Sequence, residues 1–229
     1  MKITHIPKEW PFTTAGFRLA KHPVDQAGGR SDEESQDHAA VCAGDDRILA
    51  VISDGVTTAL RGGMAARIAV DFAEQQFQEG VNEARPLLAA ACRHLWKLNQ
   101  DYMETEGTES LAYQCMISLA TVDPQGHFEW ASVGDSVIES NHGNEITRLT
   151  GKAEVTAERL HQRAGMPLEY LQLFSGESSL DKHSVLRLYT DGFNEWYEDC
   201  IGKTMPQIER MLKRASLNDD VTLIELKRV

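Results

Sequence analysis

No stretch of this sequence is apolar for long enough to cross a bilayer; the longest aliphatic run, Ile48 to Ile52, has the length of a buried strand. The opening residues, Met1 to Pro7, lack the apolar centre of a secretory signal. The four cysteines (Cys42, Cys92, Cys115 and Cys200) are scattered, and none forms a Cys-x-x-Cys pair, so zinc and thioredoxin-type chemistry have no support. Reduced, mostly buried thiols in a cytoplasmic protein are the expectation. There is no internal repeat, no low-complexity tract and no Pro- or Ser-rich linker. The nucleophile signature G-x-S-x-G and the zinc signature H-E-x-x-H are both missing. Positive charge is in short supply: 23 Lys and Arg face 35 Asp and Glu, for a formal net charge of −12. Such a surface repels nucleic-acid phosphates and anionic lipid, so neither nucleic acid nor membrane is expected as a partner.

What is present is the composition of a folded globular protein, 41% hydrophobic and 25% charged over 229 residues. That length suits one domain over 1–229 with a sizeable core. The polar stretch Asp25 to Gln36 reads as a loop. The apolar runs His38–Ala43 and Arg47–Ser53 flank Gly44-Asp45-Asp46 and predict a hairpin. Met64, Ile68, Phe72 and Phe77 recur at helical spacing from Gly63 to Gln78, with Gly80 as a stop. A second stripe, Leu88, Cys92, Leu95, Leu98 and Tyr102, predicts a helix from Arg85 to Glu104 with Pro86 in its first turn. Strands are predicted over Gln114–Val122 and His127–Val133, joined by the turn Asp123-Pro124-Gln125-Gly126, and over Ile146–Leu149, Val185–Thr190 and Val221–Leu226. Further helices are predicted over Val155–Leu173 and Pro206–Ala215. Helices grouped in blocks between hairpin-linked strands indicate α+β layers, not an alternating parallel sheet.

One pattern occurs twice. Arg47 to Ser53 runs into Asp54-Gly55, and Val185 to Thr190 runs into Asp191-Gly192. Each is an apolar strand ending in a hydroxyl residue, then Asp, then Gly. An aspartate there projects from a sheet edge on a rigid framework, and glycine, with no Cβ, lets its backbone come close to a ligand. Aspartate oxygens and a backbone carbonyl are the hard donors that Mg²⁺ or Mn²⁺ prefer. For either copy alone, a plain Asp-Gly turn is the better explanation of the dipeptide. Three further acidic sites fall at strand ends: Gln36-Asp37, Gly134-Asp135-Ser136 and Asn218-Asp219-Asp220.

The ordered set S-Q-D at 35–37, S-D-G-V at 53–56, V-G-D-S at 133–136, T-D-G-F at 190–193 and N-D-D-V-T at 218–222 resembles the type 2C (PPM) metal-dependent serine/threonine protein phosphatases. Order, spacing and strand context agree from about Arg30 to Leu226, and the Gly- and Ala-rich stretch Gly55–Ala66 resembles the smaller bacterial branch. The resemblance implies two packed, mainly antiparallel β-sheets flanked by helices (a four-layer αββα sandwich), with a short flap around 150–184. It implies two Mn²⁺ or Mg²⁺ ions, with a third position at Asp135. Asp54 would bridge both ions, with the Gly55 carbonyl on one; Asp191 and Asp219 would complete the other. Gln36 stands where many members have a glutamate ligand, and Asp37 would hold metal-bound water. Arg30 is the candidate phosphate-binding arginine, set two residues further from Gln36-Asp37 than in many members. The implied reaction is hydrolysis of phosphoserine or phosphothreonine on a protein by water activated between the metals, without a covalent phosphoenzyme. A phosphorylated protein, and a cognate Ser/Thr kinase, would be the partners.

The pattern also departs from the family. Val56 stands where many members carry a histidine, Gln36 is neutral, and Glu109–Tyr113 lacks the glycine- and threonine-rich signature often found there. These departures motivate an alternative with the same fold and no catalysis: a pseudophosphatase that binds phosphoproteins. A haloacid-dehalogenase-like hydrolase, with Asp54 as nucleophile, would need a second Asp at position 56 and an alternating parallel sheet. Structural readings suit His38, Trp196 and Tyr197, as packing residues, and Asp32-Glu33-Glu34, as solvated loop.

Overall fold

The computed structural model describes residues 1–4, 6–21, 35–143, 145–150 and 162–229. Its strands are β1 (Lys2–Ile3), β2 (Phe12–Leu19), β3 (Asp37–Ala43), β4 (Ile48–Gly55), β5 (Cys115–Val122), β6 (His127–Val133), β7 (Val137–His142), β8 (Glu145–Arg148), β9 (Phe174–Ser179), β10 (Val185–Tyr189) and β11 (Val221–Arg228). Its α-helices are α1 (Gly62–Gln78), α2 (Ala84–Glu106), α3 (Tyr197–Cys200) and α4 (Met205–Leu212). The strands form a six-stranded sheet in the order β1-β3-β4-β5-β6-β9 and a five-stranded sheet in the order β2-β11-β10-β7-β8. Among the described strand pairings, only the short β1–β3 pair is parallel.

Alternation along the strands builds the layers, because successive side chains leave a strand on opposite faces. On β4, Leu49 and Val51 face the helices, where they join Ala65, Ala66, Ala69 and Ala73 of α1 and Leu87, Leu88 and Leu95 of α2. Ile48, Ala50 and Ile52 face the other sheet and pack with Leu186 and Leu188 of β10 and Ile224 and Leu226 of β11. On the far face of that second sheet, Phe17, Tyr189 and Leu223 pack against Ile208 and Leu212 of α4. Four layers, helix–sheet–sheet–helix, result. Burying each large aliphatic side chain contributes about 1.5–3 kcal/mol, with the extended-chain reference making this an upper bound.

The same alternation reaches the candidate site. Continuing the inward-facing series Ile48, Ala50, Ile52 by one step along β4 arrives at Asp54. Leu186 and Leu188 lead to Thr190, Ile224 leads back to Thr222, and Ala39 and Val41 lead back to Asp37. At this end of the sandwich the apolar inter-sheet layer gives way to carboxylates and hydroxyls.

The predicted hairpin forms, with Ala43 opposite Ile48 and the Gly44 amide donating to the Arg47 carbonyl at 2.8 Å. The first helix ends at Gln78, and Gly80 follows with φ +98°, a left-handed conformation that favours glycine. One expectation fails. The helix predicted over Val155–Leu173 is not found in its described part, 162–173; residues 155–161 lie outside the described residues. Ala164 pairs with Cys115, Gly165 has φ +104°, and only a 3-10 turn spans Leu168–Tyr170. Leu168, Leu171 and Leu173 pack on the core that α1 and α2 share with the first sheet. Four strands had no clear signal: β1 and β2 near the start, β7, and the polar β9, which lies within 150–184 and closes the six-stranded sheet against β6.

Asn99, fully buried in α2, holds this region down. Its Nδ2 donates to the carbonyls of Tyr113 and Gly165 and its Oδ1 accepts from the Tyr113 amide, all at 2.8 Å. Removing it strands three buried backbone groups. Asn99→Ala is therefore expected to lower unfolding free energy by about 3 kcal/mol in urea titrations; a loss under about 1 kcal/mol would show that the clamp is dispensable.

Candidate metal centre

Strand ends bring the acidic residues together. The β3–β4 register sets Asp37 directly opposite Asp54. Asp191 follows the end of β10, Asp219 and Asp220 precede β11, and Asp135 follows β6. Gly134 makes that last placement possible: its φ is +96°, and a Cβ there would lie 2.3 Å from the Met116 sulfur. Asp54, Asp135 and Asp191 each place a carboxylate oxygen within 4.8 Å of the others. Asp219 is exposed beside them, its Cβ 3.2 Å from where a Cβ on Gly192 would stand. It stays outside the tightest group, whereas Asp135 joins it.

The glycines of the two Asp-Gly pairs serve close approach by the chain's own backbone. A Cβ on Gly55 would stand 2.5 Å from the Gly62 carbonyl carbon and 2.7 Å from the Gln36 oxygen. One on Gly192 would stand 2.1 Å from the Asp220 carbonyl oxygen. Gln36 is held through its backbone: its amide donates to Asp220 Oδ2 at 2.6 Å, and its carbonyl accepts from the Gly55 amide at 3.0 Å. Asp220 Oδ1 also accepts from the Lys21 amide at 2.8 Å. Asp220 thus ties the start of β3 to the loop before β11, a role that only the doubled acid at 219–220 hinted at.

Asp37 is buried and crosses between the sheets. Its Oδ2 accepts from the hydroxyls of Thr190 and Thr222, each at 2.8 Å. Its Oδ1 is buried and has no hydrogen-bond partner among the described residues. Arg18 of β2 adds a second tie, its Nη1 donating to the Asp37 carbonyl at 3.0 Å and lying 3.1 Å from His38 Nδ1. Burial, then the Arg18 charge, pushes His38 down to about 4, so the ring is a neutral acceptor, in keeping with a packing role. Trp196 and Tyr197 are half-buried against the Tyr189 and Phe193 cluster, also as packing residues. Arg30 and Asp32-Glu33-Glu34 lie outside the described residues.

Charge is concentrated here at a price in free energy. Burial lifts Asp54 to about 10, reinforced by the carboxylates of Asp37, Asp191, Asp135 and Asp219. Burial also lifts Asp37 to about 7 against the pull of Thr222 and Thr190. Carboxylates this close cannot all ionise without a compensating positive charge. A converging set of hard oxygen donors beside an unused buried carboxylate oxygen fits a divalent cation of the Mg²⁺ or Mn²⁺ type.

Residues 28–223 match the sequence model of the family described as Protein phosphatase 2C, and the chain belongs to that family. No curated protein matches the sequence. Among solved structures, the serine/threonine phosphatase Stp1 from Staphylococcus aureus superposes with a TM-score of 0.71 at 16% identity, over 100% of this chain and 97% of that one. RsbX in complex with magnesium gives 0.69 at 17% identity, over 98% of each chain. PppA, a key regulatory component of T6SS in Pseudomonas aeruginosa, gives 0.67 at 16% identity, over 95% of this chain and 98% of that one. At such identities these likenesses establish the shared fold.

The raised Asp54 carboxyl has a consequence for stability. A carboxyl whose folded value lies above its ordinary 3.8 stabilises the fold fully below that value and loses the contribution as pH climbs through the folded value. In EDTA, the melting temperature of Asp54→Asn should therefore exceed that of wild type by a margin that grows from pH 5 to pH 9. An unchanging margin would show that Asp54 is not under carboxylate repulsion.

Proposed function

We propose that the chain hydrolyses phosphoserine and phosphothreonine on proteins with a water activated between two divalent ions, without a covalent phosphoenzyme. The observation that carries this reading is the convergence of Asp54, Asp135 and Asp191 within 4.8 Å beside buried Asp37. Asp54, with the Gly55 carbonyl, would hold one Mn²⁺ or Mg²⁺ ion; Asp191 and Asp219 would complete the other, with Asp54 shared, Gln36 at the place of a further ligand and Asp135 available to a third ion. When bound, such ions lower the pKa of water and neutralise phosphoryl oxygens.

The chain's own groups would then have distinct tasks. Asp37 Oδ1, buried and facing this site, would accept from the attacking water and hold it in place. Arg30, in this reading, recognises the phosphoryl group. The Cys115 thiol, opposite Gly55 on β5, is pushed by burial up to about 12 and stays protonated, so it does not compete as a nucleophile. Val56 is buried, and its amide is engaged with the Gln114 carbonyl at 3.1 Å. Val56 therefore offers no proton to a leaving alkoxide. The sandwich of antiparallel sheets removes the dehalogenase-like alternative, which needs an alternating parallel sheet.

The fitting substrate is a phosphorylated protein, whose modification a Ser/Thr kinase must supply. Among the described residues no helix is long and apolar enough to cross a membrane. All four cysteines are free and buried, which supports a cytoplasmic setting. Val56 and the neutral Gln36 favour a second reading in which the site binds phosphoproteins without cleaving them.

Phosphate release from a phosphothreonine peptide, measured with Mn²⁺, with Mg²⁺ and with EDTA, separates the two. Activity is expected only with metal, and Asp54→Asn or Asp191→Asn should lower kcat by at least about 100-fold while the protein stays folded. A wild type that binds the peptide and releases no phosphate with either metal would establish the binding module.

A further inference from the structure

We propose that Thr190 and Thr222 are positioning residues that aim the carboxylate of Asp37, and through it set how tightly the aspartate cluster holds a divalent cation. The inference rests on the two-metal reading above.

Both hydroxyls donate to one oxygen, Oδ2, at 2.8 Å each. Two donors on a single carboxylate oxygen fix the plane of the group as well as its position. The direction of one of these bonds is itself fixed. Thr190 Oγ1 accepts from the Thr222 amide at 3.0 Å, which commits its hydroxyl hydrogen to Asp37. Amide, hydroxyl and carboxylate thus form a directed relay ending on Oδ2, and Oδ1 is left as the free acceptor. Oδ1 is buried with no hydrogen-bond partner among the described residues. A buried acceptor in that state is rare and calls for an occupant of its surroundings, such as a water on a cation.

The two threonines also stand where they can feel the other acidic residues. Thr190 immediately precedes Asp191, and Thr222 lies three residues after Asp219. The Thr190 amide donates to the Thr222 carbonyl at 3.1 Å, which locks the ends of β10 and β11 together. Asp37, from the other sheet, is therefore held in register with both strands that present Asp191 and Asp219. Outer groups of this kind orient inner ligands and tune metal affinity.

A pure staple between sheets would alter stability alone, so the test reads metal affinity directly. Mn²⁺ binding to full-length Thr190→Val, Thr222→Val, Thr190→Ser and Thr222→Ser is measured by calorimetry, alongside melting temperatures in EDTA and kinetics on the phosphothreonine peptide. The Val variants should weaken Mn²⁺ binding by at least about 10-fold, with kcat reduced, KM for the peptide within about two-fold of wild type, and the Ser variants close to wild type. In an Asp37→Asn background, Thr190→Val should produce no further loss, because its effect runs through Asp37. If Thr222→Val does not fold, Thr190→Val and its double mutant decide the matter. Folded Val variants with wild-type Mn²⁺ affinity and kcat would overturn the proposal and leave the hydroxyls as staples. A wild type that takes up no Mn²⁺ at all would instead sink the two-metal reading itself, and this inference with it.

Discussion

The carboxylate of Asp37 is anchored in one sheet and hydrogen-bonded to two threonines of the other. Apolar contacts hold the sheets together over most of their area, but such contacts are non-directional and tolerate small slides. Two 2.8 Å hydrogen bonds to a buried carboxylate do not tolerate them. They bring the end of β3 into register with the ends of β10 and β11. Because Asp37 lies opposite Asp54 on β4, the same tie decides how Asp54 faces Asp191. Every other feature of the centre, including the backbone packing at Gly55 and Gly192, takes its place around this junction.

That junction also explains how the molecule supports an unfavourable concentration of charge. Several carboxylates share a region partly withdrawn from water, and burial together with mutual repulsion raises Asp54 and Asp37 well above the ordinary range. A flexible loop would relieve the repulsion by moving apart. These aspartates stand at the ends of strands whose inward faces are filled by Ile52, Leu188 and Ile224, and cannot do so without opening the core. The strain is thus held by packing elsewhere and can be relieved by a bound cation. Family membership and geometry agree on this point, although the molecule as a whole carries a net charge of −12.

The layered fold was largely legible because period-2 and period-3.6 patterns report directly on buried faces. Where polarity and burial part company, the pattern failed. β9 (FSGESS) is an exposed edge strand with almost no apolar signal, held by its ladder to β6. Between 162 and 173, Leu168, Leu171 and Leu173 pack on the core from irregular backbone, pinned by Asn99 and turned by Gly165. The aspartates of the centre were legible by their position after apolar strands, and the glycines by their place beside them. The reason for the glycines was less accessible: space is taken by Gly62, Gly63, Gln36 and Asp220, residues near and far in the chain.

By itself, then, the sequence determined the layered class of the fold, the identity of the acidic groups and the strand ends on which they stand. These are local properties, written in alternation, in turn chemistry and in the run of motifs that resembles one family. Only the tertiary structure decided which carboxylates converge, that Asp135 joins Asp54 and Asp191 while Asp219 stays at the rim, and that Thr190, Thr222, Arg18 and Asp220 hold the arrangement together. The physical reason is range. A hydroxyl 153 or 185 residues away from the carboxylate it orients leaves no trace in local pattern, and becomes its partner only when two sheets, each folded from distant segments, pack face to face.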